Sequence, residues 1–374
     1  MAARTGPISP AERCDRLRLI RSQNVGPATF AALLGHFGTA AAALAALPEL
    51  SRRGGRGRAI RIASRESAEA EIEALERIGG RLVALGEPDY PPPLAAIPDA
   101  PPLIQLLGSR DVLARDCVGM VGARNASAAG RRFARGMASD LGRRGLVVVS
   151  GMARGIDTAA HEGALDSGTI TVVAGGIDVV YPAENRRLYD DIVAQGAVVS
   201  EQPLGTQPTA RHFPPRNRLV SGLSLGVLVV EAAPRSGSLI TARMALEQGR
   251  EVFAVPGPPV DPRYRGTNGL IRQGAVLTET AEDIMEHLEG MKSRSLRQPP
   301  APAAISEPLE MASENDTSPG QETILALLGP VPVTVDELLR ECQLSPAVLL
   351  TVLLELELAG RLERHPGSRV SLVS

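Results

Sequence analysis

Aromatic side chains make up only 2% of the 374 residues, and tryptophan is absent. A nucleic acid held by such a chain finds no broad aromatic platform, so phosphate contacts and an isolated stacking ring must carry the binding. Lysine is nearly missing as well: Lys292 stands alone among 40 basic residues. The bias fits GC-rich coding, and it makes nearly every strong cation a guanidinium, suited to bidentate phosphate contacts. The three cysteines, Cys14, Cys117 and Cys342, lie far apart with no CxxC pair, which indicates neither a disulfide framework nor a zinc site. No run reaches the roughly 18 apolar residues that span a bilayer, and the first residues lack a signal core. The expectation is a cytoplasmic protein with no metal, no cofactor and no membrane partner.

What is present is ordinary in bulk and uneven in placement. Apolar residues at 44% and charged residues at 22% describe a globular chain long enough for two or three domains. The net charge of −2 conceals a basic N-terminal part, with 13 Arg against 8 acids over 1–85. Residues 86–290 carry 20 Arg against 23 acids, yet 124–154 holds seven Arg and one acid, Asp140. Residues 321–374 sum to −3. Local basic patches remain open, whereas a wholly basic DNA-coating protein is excluded.

The chain divides by pattern. Residues 1–86 are helical and Ala-rich, and contain Asn24-Val25-Gly26-Pro27 followed by an apolar stripe at Phe30, Leu33, Leu34 and Phe37. This fits a helix-hairpin-helix whose turn amides meet a phosphate; a plain helical turn with Gly38 as its C-cap fits the same letters. The Arg cluster at 52–61 adds phosphate affinity or is a solvated face. Residues 87–102 hold seven prolines and connect this head to the next domain without regular structure.

Over 103–290 short β-branched runs (117–121, 146–149, 169–174, 197–200, 225–230, 251–255, 275–277) alternate with helical patterns (127–144, 157–166, 185–195, 238–248, 281–288). Alternation with near-continuous apolar strands predicts a doubly wound, Rossmann-like parallel sheet covered on both faces. Residues 291–320 read as a disordered Pro/Ser/Glu-rich linker. Over 321–374, three helix candidates and a short hairpin predict a winged helix.

Ligands of an open parallel sheet sit at the carboxyl ends of its strands, where loops enter helices. The loop after the first core strand carries Gly122, for close approach, Arg124, and Ser127 as an N-cap beside free amides. It lacks GxGxxG spacing, and the second strand ends without an acid, which disfavours a dinucleotide. The second loop, Ser150-Gly151-Met152-Ala153-Arg154-Gly155, is a cationic nest for phosphate or a Gly-rich turn with a surface arginine. In the third, Phe213 precedes two prolines and Arg216-Asn217-Arg218; it predicts rigid guanidiniums beside a stacking ring, unless Phe213 belongs to the core. The fourth opens a helix at Ser236, Gly237 and Ser238, with Thr241 one turn on, and Asn268 closes the same edge from the run 266–271.

Taken in order, GARNASAAG, SGMARGID, FPPRNRLVSGLS, VVEAAPRSGSLITA, AVPG and GTNGLI resemble the DprA/Smf family over about 117–277. The resemblance implies an extended Rossmann fold that binds single-stranded DNA without hydrolysing nucleotides. It also implies a homodimer that loads RecA recombinase in natural transformation or related DNA recombination. Carried over residue by residue, Arg124, Arg154, Arg216, Arg218 and the 236–238 turn line the DNA pocket, with Phe213 near a base. One departure stands out: many relatives carry a basic residue after the Tyr-Pro pair, and here Ala183 and Glu184 follow Tyr181-Pro182, leaving Arg186 or Arg187 to replace it.

A hydrolase needs a positioned base and nucleophile. The five histidines are scattered, and no paired carboxylates or metal ligands can be read from the spacing. The rival class is the Rossmann-like nucleotide hydrolase or nucleotide sensor. Hydrolases of the phosphoribohydrolase type carry a GGxGTxxE run; the corresponding 236–244 stretch has no glutamate until Glu247. The expectation is a binder with no catalytic residue.

Overall fold

The computed structural model describes residues 6, 8–297, 314–365 and 367–373. They form two compact units: the N-terminal helices with the C-terminal tail, and the central domain from Glu71 onward.

In the first unit, the head is built from α1 (Pro10–Arg21), α2 (Pro27–Phe37), α3 (Ala40–Arg53) and the start of α4 (Arg65–Arg77). Ser9 and Thr39 cap α1 and α3 by accepting amides three residues on, and Gly38 ends α2 in the left-handed conformation. The apolar stripe on α2 turns inward: Phe30 and Leu33 are buried, with Leu34 and Phe37 packed beside them. The tail comprises α13 (Glu314–Leu327), β10 (Val333–Thr334), α14 (Val335–Cys342), α15 (Pro346–Leu358), β11 (Leu362–His365) and β12 (Arg369–Leu372). Its strands pair in the order β10-β12-β11, and three helices with this small sheet make the winged helix that the sequence predicts. The predicted linker is shorter at both ends, because an apolar-spaced helix runs to Arg297 and α13 starts at Glu314; its middle, 298–313, lies outside the described residues.

The central sheet has nine strands: β1 (Arg81–Ala84), β2 (Leu103–Gly108), β3 (Cys117–Val121), β4 (Val147–Ser150), β5 (Thr169–Val172), β6 (Ala197–Ser200), β7 (Gly226–Val229), β8 (Glu251–Ala254) and β9 (Val276–Leu277). Their order is β1-β2-β6-β5-β4-β3-β7-β8-β9, parallel from β6 to β9, with β1 and β2 antiparallel at one edge. The helices are α5 (Pro92–Ala95), α6 (Ala128–Arg143), α7 (Ile156–Ala164), α8 (Arg186–Gln195), α9 (Phe213–Gly222), α10 (Gly237–Glu247), α11 (Arg265–Arg272) and α12 (Ala281–Arg297). Strand alternation splits the core in two. Val118, Met120, Val148 and Leu228 face α6, α7 and α12, while Val121, Val147, Val149 and Val227 face α9 and α10.

Two expectations change here. The Pro-rich stretch is not a bare connector: Tyr90, Leu94 and Ile97 are buried against the second core, and the Tyr90 hydroxyl donates to the Pro101 carbonyl at 2.8 Å. Proline forbids long regular structure but not apolar burial, and it suits the first turn of the four-residue α5. The sheet also begins at β1, ahead of residue 103, because Arg81–Ala84 pairs with Leu103–Leu106.

Candidate functional site: a cavity over the carboxyl edge of the sheet

The chain winds outward from β3 through β4, β5 and β6, then returns to place β7 on the other side of β3. The crevice between β3 and β7 is therefore the topological switch point, where open α/β sheets take their ligands. Here it is filled from within. Glu231, at the end of β7, has no exposed surface. Its carboxylate accepts the Ser127 amide at 3.0 Å, the Ser127 hydroxyl at 2.6 Å and the Tyr264 hydroxyl at 3.1 Å. A Cβ at position 130 would come within 2.5 Å of its Oε1, so the first turn of α6 closes over the carboxylate only because that residue is glycine. Ser127 caps α6 as expected, accepting the Gly130 amide at 2.8 Å. Its expected role toward a phosphate is corrected: the anion at this helix end is Glu231.

The second nest repeats the pattern. Asp157 accepts the amides of Gly151 and Ala153 at 3.2 and 3.3 Å. Arg216 lies beneath the same loop, its Nη1 donating to the carbonyls of Gly151 at 2.6 Å and Val172 at 2.5 Å. Gly151 is thus held on both sides of the chain, and a Cβ there would strike the guanidinium at 2.2 Å. Gly155 has φ +81, and a side chain would meet the Ala123 carbonyl at 2.3 Å, so the turn needs glycine for both reasons. Burial raises the Asp157 pKa against the opposing pull of Arg216, and burial lowers that of Arg216 to about 10.

Several other expected contacts are spent inside the protein. Arg216, 6% exposed, braces the floor of the loop and cannot meet a phosphate at the surface. Arg218, 7% exposed, donates to the Asp99 carbonyl at 2.8 Å and pairs with Glu201, away from the cavity. The Ser150 hydroxyl is buried on the Met120 carbonyl at 2.6 Å. Asn268 uses both ends of its amide on Gly257, at 3.2 and 2.8 Å. Thr241 is buried in α10, and Gly122 packs where a Cβ would meet Ile156 at 2.6 Å. At the start of α10, Ser236 caps Ser238 and the two hydroxyls bond at 2.7 Å beside an exposed Gly237. Asn217 is half-buried on α9. None of these, from Gly122 to Asn268, lines the cavity that Arg124 and Phe213 share.

That cavity, of about 350 Å³, opens over β4 and β5, displaced from the filled switch point. Arg124, Gly151, Arg154 and Phe213 from the predicted set line it. Sequence reasoning missed Asn125, Val179, Tyr181, Pro182 and Pro208. The signal for Tyr181 was its place in a Tyr-Pro pair between the 169–174 strand and the 185–195 helix, in a loop that carries neither serine nor arginine. Phe213 is half-buried, starting α9 ahead of Pro214 and Pro215, which the first turn of a helix tolerates. Its ring stands 5.8 Å from that of the exposed Tyr181, and the exposed Arg124 guanidinium lies 5.0 Å from its centroid. Such contact holds a cation at the mouth without consuming its hydrogen-bond donors.

Arg154, also exposed, is bonded by Glu184. The pair raises the Arg154 pKa and lowers that of Glu184, through their hydrogen bond in each case. The corner where the family pattern carries a base therefore holds an acid that occupies Arg154, and Arg186 pairs with Asp190 instead.

His161 lies deeper and is fully buried. The Thr169 hydroxyl donates to the Val148 carbonyl, so His161 Nδ1–H donates to Thr169 Oγ1 at 2.8 Å. Burial, aided by the Arg216 charge, lowers its pKa to about 3, and it stays neutral. Among the described residues no group of His, Cys, Asp or Glu could hold a metal ion, and no single helix is long and apolar enough to cross a membrane.

Comparison with known proteins gives one direction. A family model described as DNA recombination-mediator protein A matches residues 81–289. Models for a DprA-like N-terminal HHH domain and a DprA winged helix domain match 10–74 and 299–368. Protein Smf of Escherichia coli (strain K12) is 40% identical over 312 residues, 82% of each chain. DNA processing protein DprA of Streptococcus pneumoniae is 45% identical over 202 residues, covering 54% of this chain and 71% of that protein. The X-ray structure of DprA from that organism matches with a TM-score of 0.56 at 40% identity, covering 60% of this chain and 77% of the other.

Proposed function

Since the chain belongs to the DprA/Smf family of DNA recombination-mediator proteins, we propose that it binds single-stranded DNA in the Arg124–Phe213 cavity and releases it chemically unchanged. One observation carries the reading: the protein's own carboxylates occupy the two nests suited to a nucleotide phosphate, while an aromatic wall with exposed guanidiniums is left open beside them. An unpaired base stacks on the open side of the Phe213–Tyr181 pair, and neighbouring phosphates reach Arg124 and Arg154. A duplex keeps its bases stacked and has none to offer. Among the described residues the carboxylates of this edge are all engaged: Glu231 and Asp157 are buried acceptors, Asp178 accepts the Gly205 amide, Glu201 pairs with Arg218 and Glu184 with Arg154, while Glu247 ends α10 at its far side.

Loading of RecA, homodimerisation, a cytoplasmic location and a part in natural transformation belong to the same reading, on the strength of the family resemblance. The deciding measurement compares unlabelled single-stranded and duplex competitors against a labelled oligo-dT bound to the full chain. Preference for the single strand, lost in Phe213→Ala, supports the proposal. Equal competition, or release of a base or phosphate from AMP, overturns it.

A further inference from the structure

The winged-helix tail offers its third helix to an unexpected neighbour. A helix that reads a duplex needs cations for phosphates and an exposed polar face for base edges. α15 (PAVLLTVLLELEL) has no lysine or arginine, and its charges are Glu355 and Glu357. It is buried on two sides. Leu349, Val352, Leu353 and Leu356 pack into the tail's own core, whereas Leu354 and Leu358 join the core of the head with Phe30, Leu44 and Leu47.

Polar groups repeat this division. Glu355 is 1% exposed and pairs with Arg53 at 3.0 Å. The carbonyls that end a helix have no partner within it; here the head supplies them. Asn24 Nδ2 donates to the Leu358 carbonyl at 3.0 Å, joined by the Ser51 hydroxyl at 3.4 Å, and Arg56 donates to the Ala359 carbonyl at 3.4 Å. Gly54 closes the fit, since a Cβ there would lie 1.9 Å from the Glu355 carbonyl oxygen. Asn24 belongs to the Asn-Val-Gly-Pro turn, the one feature of the head that resembles a phosphate-binding hairpin. The two elements best placed to meet a duplex thus face each other.

We infer that α15 is a docking surface for the chain's own head, so that the winged helix works as an intramolecular clamp and not as a duplex reader. The contact masks the hairpin turn and the third helix together. This inference is independent of single-strand binding by the central domain.

Amide hydrogen exchange on the full chain tests it. Gly54→Leu is expected to speed exchange at least tenfold in both α15 and the turn at 23–26, leaving β3 to β8 unchanged. If that variant loses the central sheet as well, Arg56→Ala provides the milder opening, with the same pair of segments responding. Acceleration in the head alone, with α15 unmoved, would overturn the clamp. So would slower exchange in α15 of the wild type on adding a 20-base-pair duplex. Protection of α15 that appears only as protein concentration rises would assign the docking to a second copy's head, and would equally defeat the inference.

Discussion

At the scale of single residues, the arginines of the rim divide by burial into those that meet solvent and those that hold the loop. Arg124→Ala and Phe213→Ala are expected to weaken oligo-dT binding by about 1–3 kcal/mol each, the range for a charge-assisted contact or a stacked base, with little change in melting temperature. Arg216→Ala should act the other way. Removing a buried charge next to buried Asp157 is expected to cost about 3–5 kcal/mol of stability, read as a lower denaturation midpoint. Equal stability of Arg216→Ala and wild type would refute the bracing role.

His161 adds a pH dependence. Its pKa is near 3 when folded and about 6.5 unfolded, so the unfolded chain binds the extra proton between those values. Stability then falls as pH drops from about 6.5 toward 3 and is insensitive to this group above that window. His161→Asn should flatten the acid limb of a stability–pH curve, because the histidine costs the wild type about 1.4 kcal/mol for each pH step of one within the window. Urea denaturation at pH 7 and pH 4.5 gives the comparison.

At the scale of elements, the entry of β7 beside β3 matters most, because it carries Glu231 under the first turn of α6. Glu231→Ala is expected to destabilise the chain by about 2–4 kcal/mol, from hydrogen bonds to a charged group that are left unmade. Chemical denaturation measures that loss; a stability within experimental error of wild type would mean the carboxylate is incidental to α6. The four loops were legible from sequence, since each follows a β-branched run and carries glycine, serine or arginine where a strand gives way to a helix. Their occupants were not. Strand order brings Glu231 to the Ser127 amide, whereas the turn of its own loop folds the Gly151 and Ala153 amides onto Asp157. The same reasoning applies to α9: Phe213, Arg216 and Arg218 are close in sequence, but the turn of the helix sends the first into the cavity, the second beneath it and the third toward Glu201.

At the scale of the whole molecule, a net charge of −2 and two exposed guanidiniums at the cavity argue against a strongly salt-driven interaction. With about 0.7 counterions released per phosphate on a single strand, the plot of log affinity against log salt should have a slope between about −1 and −2. A slope steeper than about −4 would require a larger basic surface than Arg124 and Arg154 provide. Glu184→Gln frees Arg154 and should raise affinity roughly twofold to fivefold, the scale of an exposed pair, measured by the same titration at low salt.

Hydrophobic period, turn residues and glycine placement act over a few residues, so the sequence by itself determined the helical head, the parallel core, the winged tail and the loops bearing the site. Burial and pairing depend on groups far apart along the chain. Only the tertiary structure decided that Glu231 meets Ser127, that Arg216 underlies Gly151, that Tyr181 faces Phe213 and that α15 meets the head. An exposed arginine and a buried one share a letter; what separates them is the low-dielectric surroundings and the carbonyls that folding brings to one of them.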